Sequence, residues 1–177
     1  MILKGIGWFL VIWVKTSLFV LTIITVKYVF KFINDYGDKC INYMKELLDF
    51  TDYLRIYSCD MKMSYEEIYL KYSYKSEVIK KLCSKLQQEF IINRNKNEFE
   101  CYIKELLNTP DEFNTYFSDI IDYYGSTYSD VLDKKLLFTI REMESSMKGF
   151  ERSHIEKKNL NNRISILVGC LTAVILI

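Results

Sequence analysis

The sequence predicts an all-α protein in which a helical domain is flanked by an N-terminal and a C-terminal transmembrane helix. Three observations support this prediction. Both ends of the 177-residue chain are apolar, whereas the middle carries ordinary charge. Apolar residues in the middle recur at steps of three and four, the period of a helix. The chain has a single proline, and no strand-like alternation of useful length is present.

The first apolar stretch covers residues 5–30, within a predicted N-terminal anchor of residues 1–31. As a helix it would be about 39 Å long, enough to cross a hydrocarbon core of about 30 Å. Lys15 lies inside it and either snorkels to the headgroups or faces a partner helix. A cleaved signal peptide is the alternative. Its apolar region is normally ~7–15 residues and ends at small residues, unlike the far flank Lys27-Tyr28-Val29.

The second apolar stretch, residues 164–177, lies in a predicted C-terminal tail of residues 161–177. As a helix it would be about 21 Å long, which is shorter than a usual membrane span. A start near Leu160 would add a turn, and Arg163 would then reach back to the headgroups. A tail that lies in the interface, or that is buried in the helical domain, is the alternative.

Basic residues beside the two stretches predict the orientation. Lys27 and Lys31 follow the first stretch, whereas Lys157, Lys158 and Arg163 precede the second. The positive-inside bias therefore places the middle of the chain in the cytoplasm. Five cysteines without a C-x-x-C pair agree with a reducing compartment rather than with a disulfide framework.

The central domain, residues 32–160, is predicted to contain about six helices. The first covers about 32–57, and Gly37 weakens its start at the exit from the membrane helix. Ser64, with Glu67 three residues later, has the pattern of a capping box and predicts a short second helix. We call the residues that recur on one face of a predicted helix its stripe. The stripe of the first helix consists of Cys40, Met44, Leu47, Thr51 and Leu54.

Further helices follow in order. One covers residues 76–92 and ends at the polar run 93–97, after which another begins. Thr109-Pro110 predicts a helix start with a capping threonine and proline at the first helical position, and Gly125 is placed to end that helix. The stripes of these three helices, in chain order, are Ile79, Leu82, Cys83, Leu86 and Phe90; Phe99, Ile103, Leu106 and Leu107; and Phe113, Phe117, Ile120, Ile121 and Tyr124.

The last helix is predicted from about residue 130 into the apolar tail, because no proline interrupts residues 130–177. Gly149 is the one weak point before the tail. Its stripe is Leu132, Leu136, Ile140, Met143, Met147, Phe150 and His154.

Residue chemistry predicts no catalytic residue, no metal and no cofactor. The net charge of +1 argues against nucleic-acid binding, so the 14 tyrosines are interpreted as core or protein-interface residues. His154 is the one histidine, which excludes a multi-histidine metal site, and it is interpreted as a partly buried helix residue. No activated nucleophile, phosphate-binding glycine loop or small-molecule site is indicated.

Four aspartates could be taken for a carboxylate cluster. We interpret them as helix-capping and solvated residues, with a partner-binding surface as the alternative ahead of catalysis or metal binding. They are Asp119, Asp122, Asp130 and Asp133.

Three stretches resemble stage III sporulation protein AB, a family of endospore-forming bacteria related in fold to the cytoplasmic domain of type II secretion F proteins. The first is Tyr57–Tyr72, a turn and a capped helix after an amphipathic helix. The second is DIIDYYGSTYSD (residues 119–130), and the third is a charged helix that leads into the apolar tail. The chain departs from the family at Met61-Lys62-Met63, where Thr-Pro-Leu is usual, and in a shorter gap after Gly125 that lacks a second glycine.

The resemblance implies a non-enzymatic component of the sporulation channel or secretion-like complex in the mother-cell membrane around the forespore. Its partners would be the membrane and other stage III proteins, including the AA ATPase, with the chain as a platform between that ATPase and the membrane assembly. The alternative is a membrane-active helical protein that forms pores or remodels bilayers. Candidate partner-binding residues are Tyr124, Gly125, Ser129 and Asp130.

Overall fold

A computed structural model of the chain describes residues 2–87, 95–124 and 129–176, with side chains from residue 12 to residue 175 of these ranges. All regular structure in the described residues is helical, which confirms the predicted all-α class. The helices are α1 (Ile2–Cys59), α2 (Tyr65–Lys71), α3 (Glu77–Lys85), α4 (Lys96–Leu107), α5 (Asp111–Ser118), α6 (Ile120–Tyr123) and α7 (Ser129–Leu176).

The chain divides into two compact units. The central unit is Lys39–Arg152, and the terminal unit combines Met1–Asp38 with Ser153–Ile177. Helices α1 and α7 contribute residues to both units. The unit boundaries lie several residues inside the predicted central domain of 32–160, and where a bilayer would end along these helices stays a prediction.

Helix α1 passes through Gly37 without a break, so the predicted weak start at this glycine is wrong. The glycine instead allows a close approach within the terminal unit. A Cβ added at Gly37 would lie 2.2 Å from Cε1 of His154, well inside van der Waals contact. The missing side chain therefore makes room for the imidazole, at a position where glycine otherwise lowers helix stability.

The predicted stripe of the first domain helix forms the core of the central unit. Met44, Leu47 and Leu54 have no exposed surface, and Thr51 is buried beside them. Phe50 is fully buried as well, although it lies off the predicted stripe. The stripes of the later helices are buried too, apart from Leu106, Tyr124, Ile140, Phe150 and His154, which are half-buried, and Phe90, which lies outside the described residues.

Two predicted helix starts can be compared with the structure. The capping box at Ser64 is confirmed: its N–H donates to Glu67 Oε2 at 3.0 Å, and its Oγ accepts from the N–H of Glu67 at 3.4 Å. At Thr109-Pro110 a helix does start, but Pro110 occupies the cap position. The Thr109 hydroxyl bonds to Asn114 instead, whose Nδ2 donates back to the Thr109 carbonyl at 3.1 Å.

The helix that starts there ends earlier than predicted. It stops at Ser118, and α6 follows as a separate single turn after Asp119. The predicted stop at Gly125 lies outside the described residues.

In the terminal unit, α1 and α7 run antiparallel. Asn34 bonds to Asn162, whereas Gly169, further along α7, approaches Ile23, which is earlier on α1. A Cβ on Gly169 would come within 3.3 Å of the Ile23 Cα. Ser165 and Ala173 lie one turn before and after Gly169 and are buried, so small residues line the contact and let the two backbones approach.

The described residues include one helix that is long and apolar enough to cross a membrane. It is the Ile12–Cys59 part of α1, and its most apolar window is not buried at all. Exposed large apolar side chains run along it from Ile12 to Ile33. The tail of α7 also exposes Leu167, Leu171 and Ile175, but whether it crosses a membrane stays a prediction.

Candidate functional site

The predicted partner-binding segment contacts the last residue of α1 in the central unit. Ser129, at the start of α7, donates its hydroxyl to the Cys59 carbonyl at 3.1 Å and so satisfies a free carbonyl at the end of α1. Tyr124 packs edge-to-face on Tyr65, with ring centroids 5.7 Å apart. Gly125, the third candidate, lies outside the described residues. The fourth candidate, Asp130, follows Ser129 in the first turn of α7.

These contacts separate the candidates by role. Tyr124 is half-buried, and its burial raises its pKa to about 12, so the ring serves packing and its hydroxyl stays protonated. Ser129 is engaged with the α1 terminus. Asp130 is exposed in the first turn of α7, where a carboxylate suits the helix dipole. Of the described candidates, Asp130 is therefore the one whose charge is presented to solvent.

The other three aspartates of the predicted cluster are ion-paired, so the interpretation as capping and solvated residues is incomplete. Lys96 contacts Asp119 and lies 3.6 Å from the Asp122 carboxylate. Asp133 accepts from Arg55 at 2.8 Å, and this hydrogen bond raises the pKa of the guanidinium. No group of three or more metal-ligating side chains is found among the described residues.

Tyrosines cluster around Phe50 in the central unit, as the core interpretation predicted. Tyr72 meets the Phe50 ring edge-on at a centroid distance of 5.2 Å, and Tyr65 does so at 6.2 Å. Tyr74 stacks on it at 6.0 Å. Further ring pairs form at the edge of this cluster, one between Tyr53 and Tyr57 and one between Tyr69 and Tyr74.

Glu46 is a buried carboxylate that the sequence interpretation missed. Its side chain lies on α1 and is 3 % exposed. Its Oε1 accepts the backbone N–H groups of Lys75 at 2.7 Å and Ser76 at 3.0 Å, just before α3 begins. The carboxylate thus holds the loop between α2 and α3 against α1. No sequence pattern links positions 46 and 75, because the contact depends on tertiary packing.

A ladder of polar contacts joins α1 and α7 inside the terminal unit. His154 Nε2 lies 2.9 Å from Asp38 Oδ1, and Lys158 donates to Asp38 Oδ2 at 2.6 Å. One turn earlier on α1, buried Asn34 accepts from Asn161 at 2.9 Å. Asn34 and Asp38 are four residues apart, so they lie on one face of α1. His154, Lys158 and Asn161 follow at steps of four and three and lie on one face of α7. This spacing could have indicated two polar faces that meet.

The ladder makes the terminal unit sensitive to acid. The hydrogen bond from Lys158 lowers the pKa of Asp38, and the hydrogen bond with His154 lowers it further. Burial acts in the opposite direction but does not cancel the lowering. A carboxyl whose pKa is lowered by folding stabilises the folded state above its ordinary pKa. That stabilisation is lost as the pH falls through the lowered value.

The cysteines of the central unit differ in accessibility. Burial raises the pKa of Cys83 far above its usual value, raises that of Cys40 to about 11 and also raises that of Cys59, which disfavours the reactive thiolate. Cys101 is the exposed member of this set. The buried three are thus packing residues, and Cys101 offers a reporter of solvent access.

Comparison with known proteins finds no family model that matches the chain, and no curated protein or solved structure that is similar to it.

Proposed function

We propose that the chain is a non-enzymatic structural membrane protein that holds its central unit at the cytoplasmic face of a bilayer. The observation that carries the proposal is the exposed apolar surface of α1, which extends over about six turns from Ile12 to Ile33. Exposed apolar area on this scale is typical of membrane or protein contact. The predicted anchor of residues 1–31 covers most of it.

Hydroxyl side chains in the apolar part of α1 support contact with lipid. Thr22 donates to the Leu18 carbonyl and Thr25 to the Leu21 carbonyl, each at 2.9 Å. Thr16 and Ser17 make the same kind of bond within their own helix. In hydrocarbon no water is present to satisfy a hydroxyl, so bonds within the helix lower the cost of burying these residues in a bilayer.

The resemblance to stage III sporulation protein AB adds a finer proposal. The chain would sit in the mother-cell membrane around the forespore, as a platform between the AA ATPase and the membrane assembly. Confinement to a membrane face raises the effective concentration of the central unit for such partners. Asp130 and its neighbours at the start of α7 are the proposed contact.

Anchoring and orientation are tested together by fractionation and thiol labelling of the full chain. We expect the protein to stay in the membrane pellet after a carbonate wash. A membrane-impermeant maleimide is expected to label Cys101 in inverted vesicles but not in intact protoplasts, because Cys101 is exposed on the proposed cytoplasmic unit. Cys101→Ser is the control and should lose this labelling. Release by carbonate, or labelling from outside, would contradict the proposal.

The partner contact is tested by retention of the AA ATPase on the immobilised full chain from sporulating cells. Asp130→Ala is expected to lower retention by about tenfold, since a central interface residue contributes roughly 1–2 kcal/mol. Tyr124 is unsuitable for truncation, because its ring packs on Tyr65. Asp111→Ala removes the same charge from an exposed site elsewhere and is the matched control.

Equal retention by Asp130→Ala and the wild type would count against this contact. Leakage of liposomes caused by the purified chain alone would instead favour the membrane-active alternative.

A further inference from the structure

A groove opens within the terminal unit at the level where the apolar part of α1 ends. It has a volume of about 460 Å³. Helix α1 supplies Lys27, Lys31 and Asp35 to its walls, and α7 supplies Lys158 and Asn162. In a bilayer that contains the apolar part of α1, this is the depth of the lipid headgroups.

The charge of the groove favours a singly charged anion. Lys27 and Lys31 are exposed and lie one turn apart on the same face, and neither is ion-paired within the described residues. Lys158 contributes less, because it is paired with Asp38. Asp35 is a carboxylate in the same wall and opposes a second negative charge. A phosphodiester fits this balance better than a free phosphate dianion.

A second, apolar groove continues from the first. It has a volume of about 330 Å³ and shares Ile24 with the basic groove. From Ile24 it follows one face of α1 past Val20 to Trp13. That distance is about 16 Å along the helix, about half of a 30 Å hydrocarbon core, which is the depth of one leaflet. The pair of grooves thus has a headgroup end and an acyl end.

We propose that the two grooves together bind one anionic phospholipid. Its phosphodiester lies between Lys27 and Lys31, and one acyl chain follows the apolar groove toward Trp13. Basic pockets between helices at the cytoplasmic surface are suited to anionic headgroups, and each lysine near such a surface contributes roughly a factor of five in affinity. The proposal rests on the membrane anchoring proposed above.

The test uses quenching of Trp13 fluorescence by lipids with brominated acyl chains. The full chain carrying Trp8→Phe, so that Trp13 is the sole tryptophan, is reconstituted in phosphatidylcholine vesicles. We expect brominated phosphatidylglycerol to quench Trp13 at a lower mole fraction than brominated phosphatidylcholine. Lys27→Gln with Lys31→Gln should reduce this preference by about tenfold or more.

The matched control is Lys157→Gln with Arg163→Gln, which removes the same charge from exposed residues of α7 that do not line the groove. An equal loss in both double variants, or no preference for phosphatidylglycerol in the wild type, would overturn the site. Recovery of Trp13 fluorescence on addition of inorganic phosphate would assign the groove to free phosphate instead. A chain that carbonate washes off the vesicles would refute the anchoring itself, whereas a retained chain without lipid preference refutes the lipid site alone.

Discussion

Replacing Phe50 by alanine is expected to lower the free energy of unfolding of the central unit by about 3–5 kcal/mol. Phe50 has no exposed surface, and its ring contacts those of Tyr65, Tyr72 and Tyr74. Alanine would leave a cavity that three large rings on different segments cannot fill by a small shift. The loss therefore includes both the transfer of the ring to water and the cavity that remains.

Urea unfolding of the full chain in detergent micelles, followed by circular dichroism, measures this loss. Phe138→Ala is the matched control, because Phe138 is 56 % exposed on α7. We expect it to change the free energy of unfolding by no more than about 0.5 kcal/mol. Similar effects of the two substitutions would show that the aromatic cluster does not form the core.

Local patterns in the sequence were sufficient for the all-helical class and much of the core, but not for every helix boundary, since α5 already ends at Ser118. The stripe from Cys40 to Leu54 recurs at helical steps and is buried as predicted. The capping box at Ser64 is a pattern of four consecutive residues, and it forms with both of its hydrogen bonds. Such features depend on neighbours in the chain, so the sequence alone specifies them.

Features that depend on a distant partner were missed or misread. Gly37 in isolation predicts a weak helix start, but its role is set by His154, more than 100 residues away in the chain. Asp119 and Asp133 look solvated until Lys96 and Arg55 are placed beside them. Periodicity reports which face of a helix is apolar, not which helix that face meets.

The predicted partner segment shows the same limit. The short motifs of the resemblance grouped Tyr124, Gly125, Ser129 and Asp130 as one candidate partner-binding surface. The described contacts give Tyr124 and Ser129 packing and capping partners, and they leave Asp130 exposed. Function at this segment is therefore better tested at the exposed, charged Asp130 than at the aromatic Tyr124, whose ring packs on Tyr65.

Replacing Glu46 by leucine is expected to lower the free energy of unfolding by about 2–5 kcal/mol. The carboxylate is buried and is the acceptor for the backbone N–H groups of Lys75 and Ser76. Leucine fills much of the same volume but accepts no hydrogen bond, so two donors lose their partner. Each hydrogen bond to a charged acceptor contributes about 1.5–3 kcal/mol, and because Lys75 is exposed and Ser76 is half-buried, water replaces part of this loss.

Glutamine at position 46 separates hydrogen bonding from charge. Both N–H groups donate to the same oxygen, Oε1, and the amide oxygen of glutamine can accept both bonds. Glu46→Gln should therefore lose about 1 kcal/mol or less, the part that charge adds to these bonds. Asp49→Asn, which breaks an exposed ion pair with the same Lys75, should stay within about 0.5 kcal/mol of the wild type.

Urea unfolding of the full chain measures these losses of unfolding free energy. We expect the largest loss for Glu46→Leu, a smaller one for Glu46→Gln and the smallest for Asp49→Asn. If Glu46→Leu matched Glu46→Gln, the loop before α3 would be held by its packing and not by the buried carboxylate. If Asp49→Asn were as damaging as Glu46→Leu, the surface ion pair would be what fixes Lys75. Only the first order agrees with a carboxylate that acts from inside the core as the acceptor for a loop far away in the sequence.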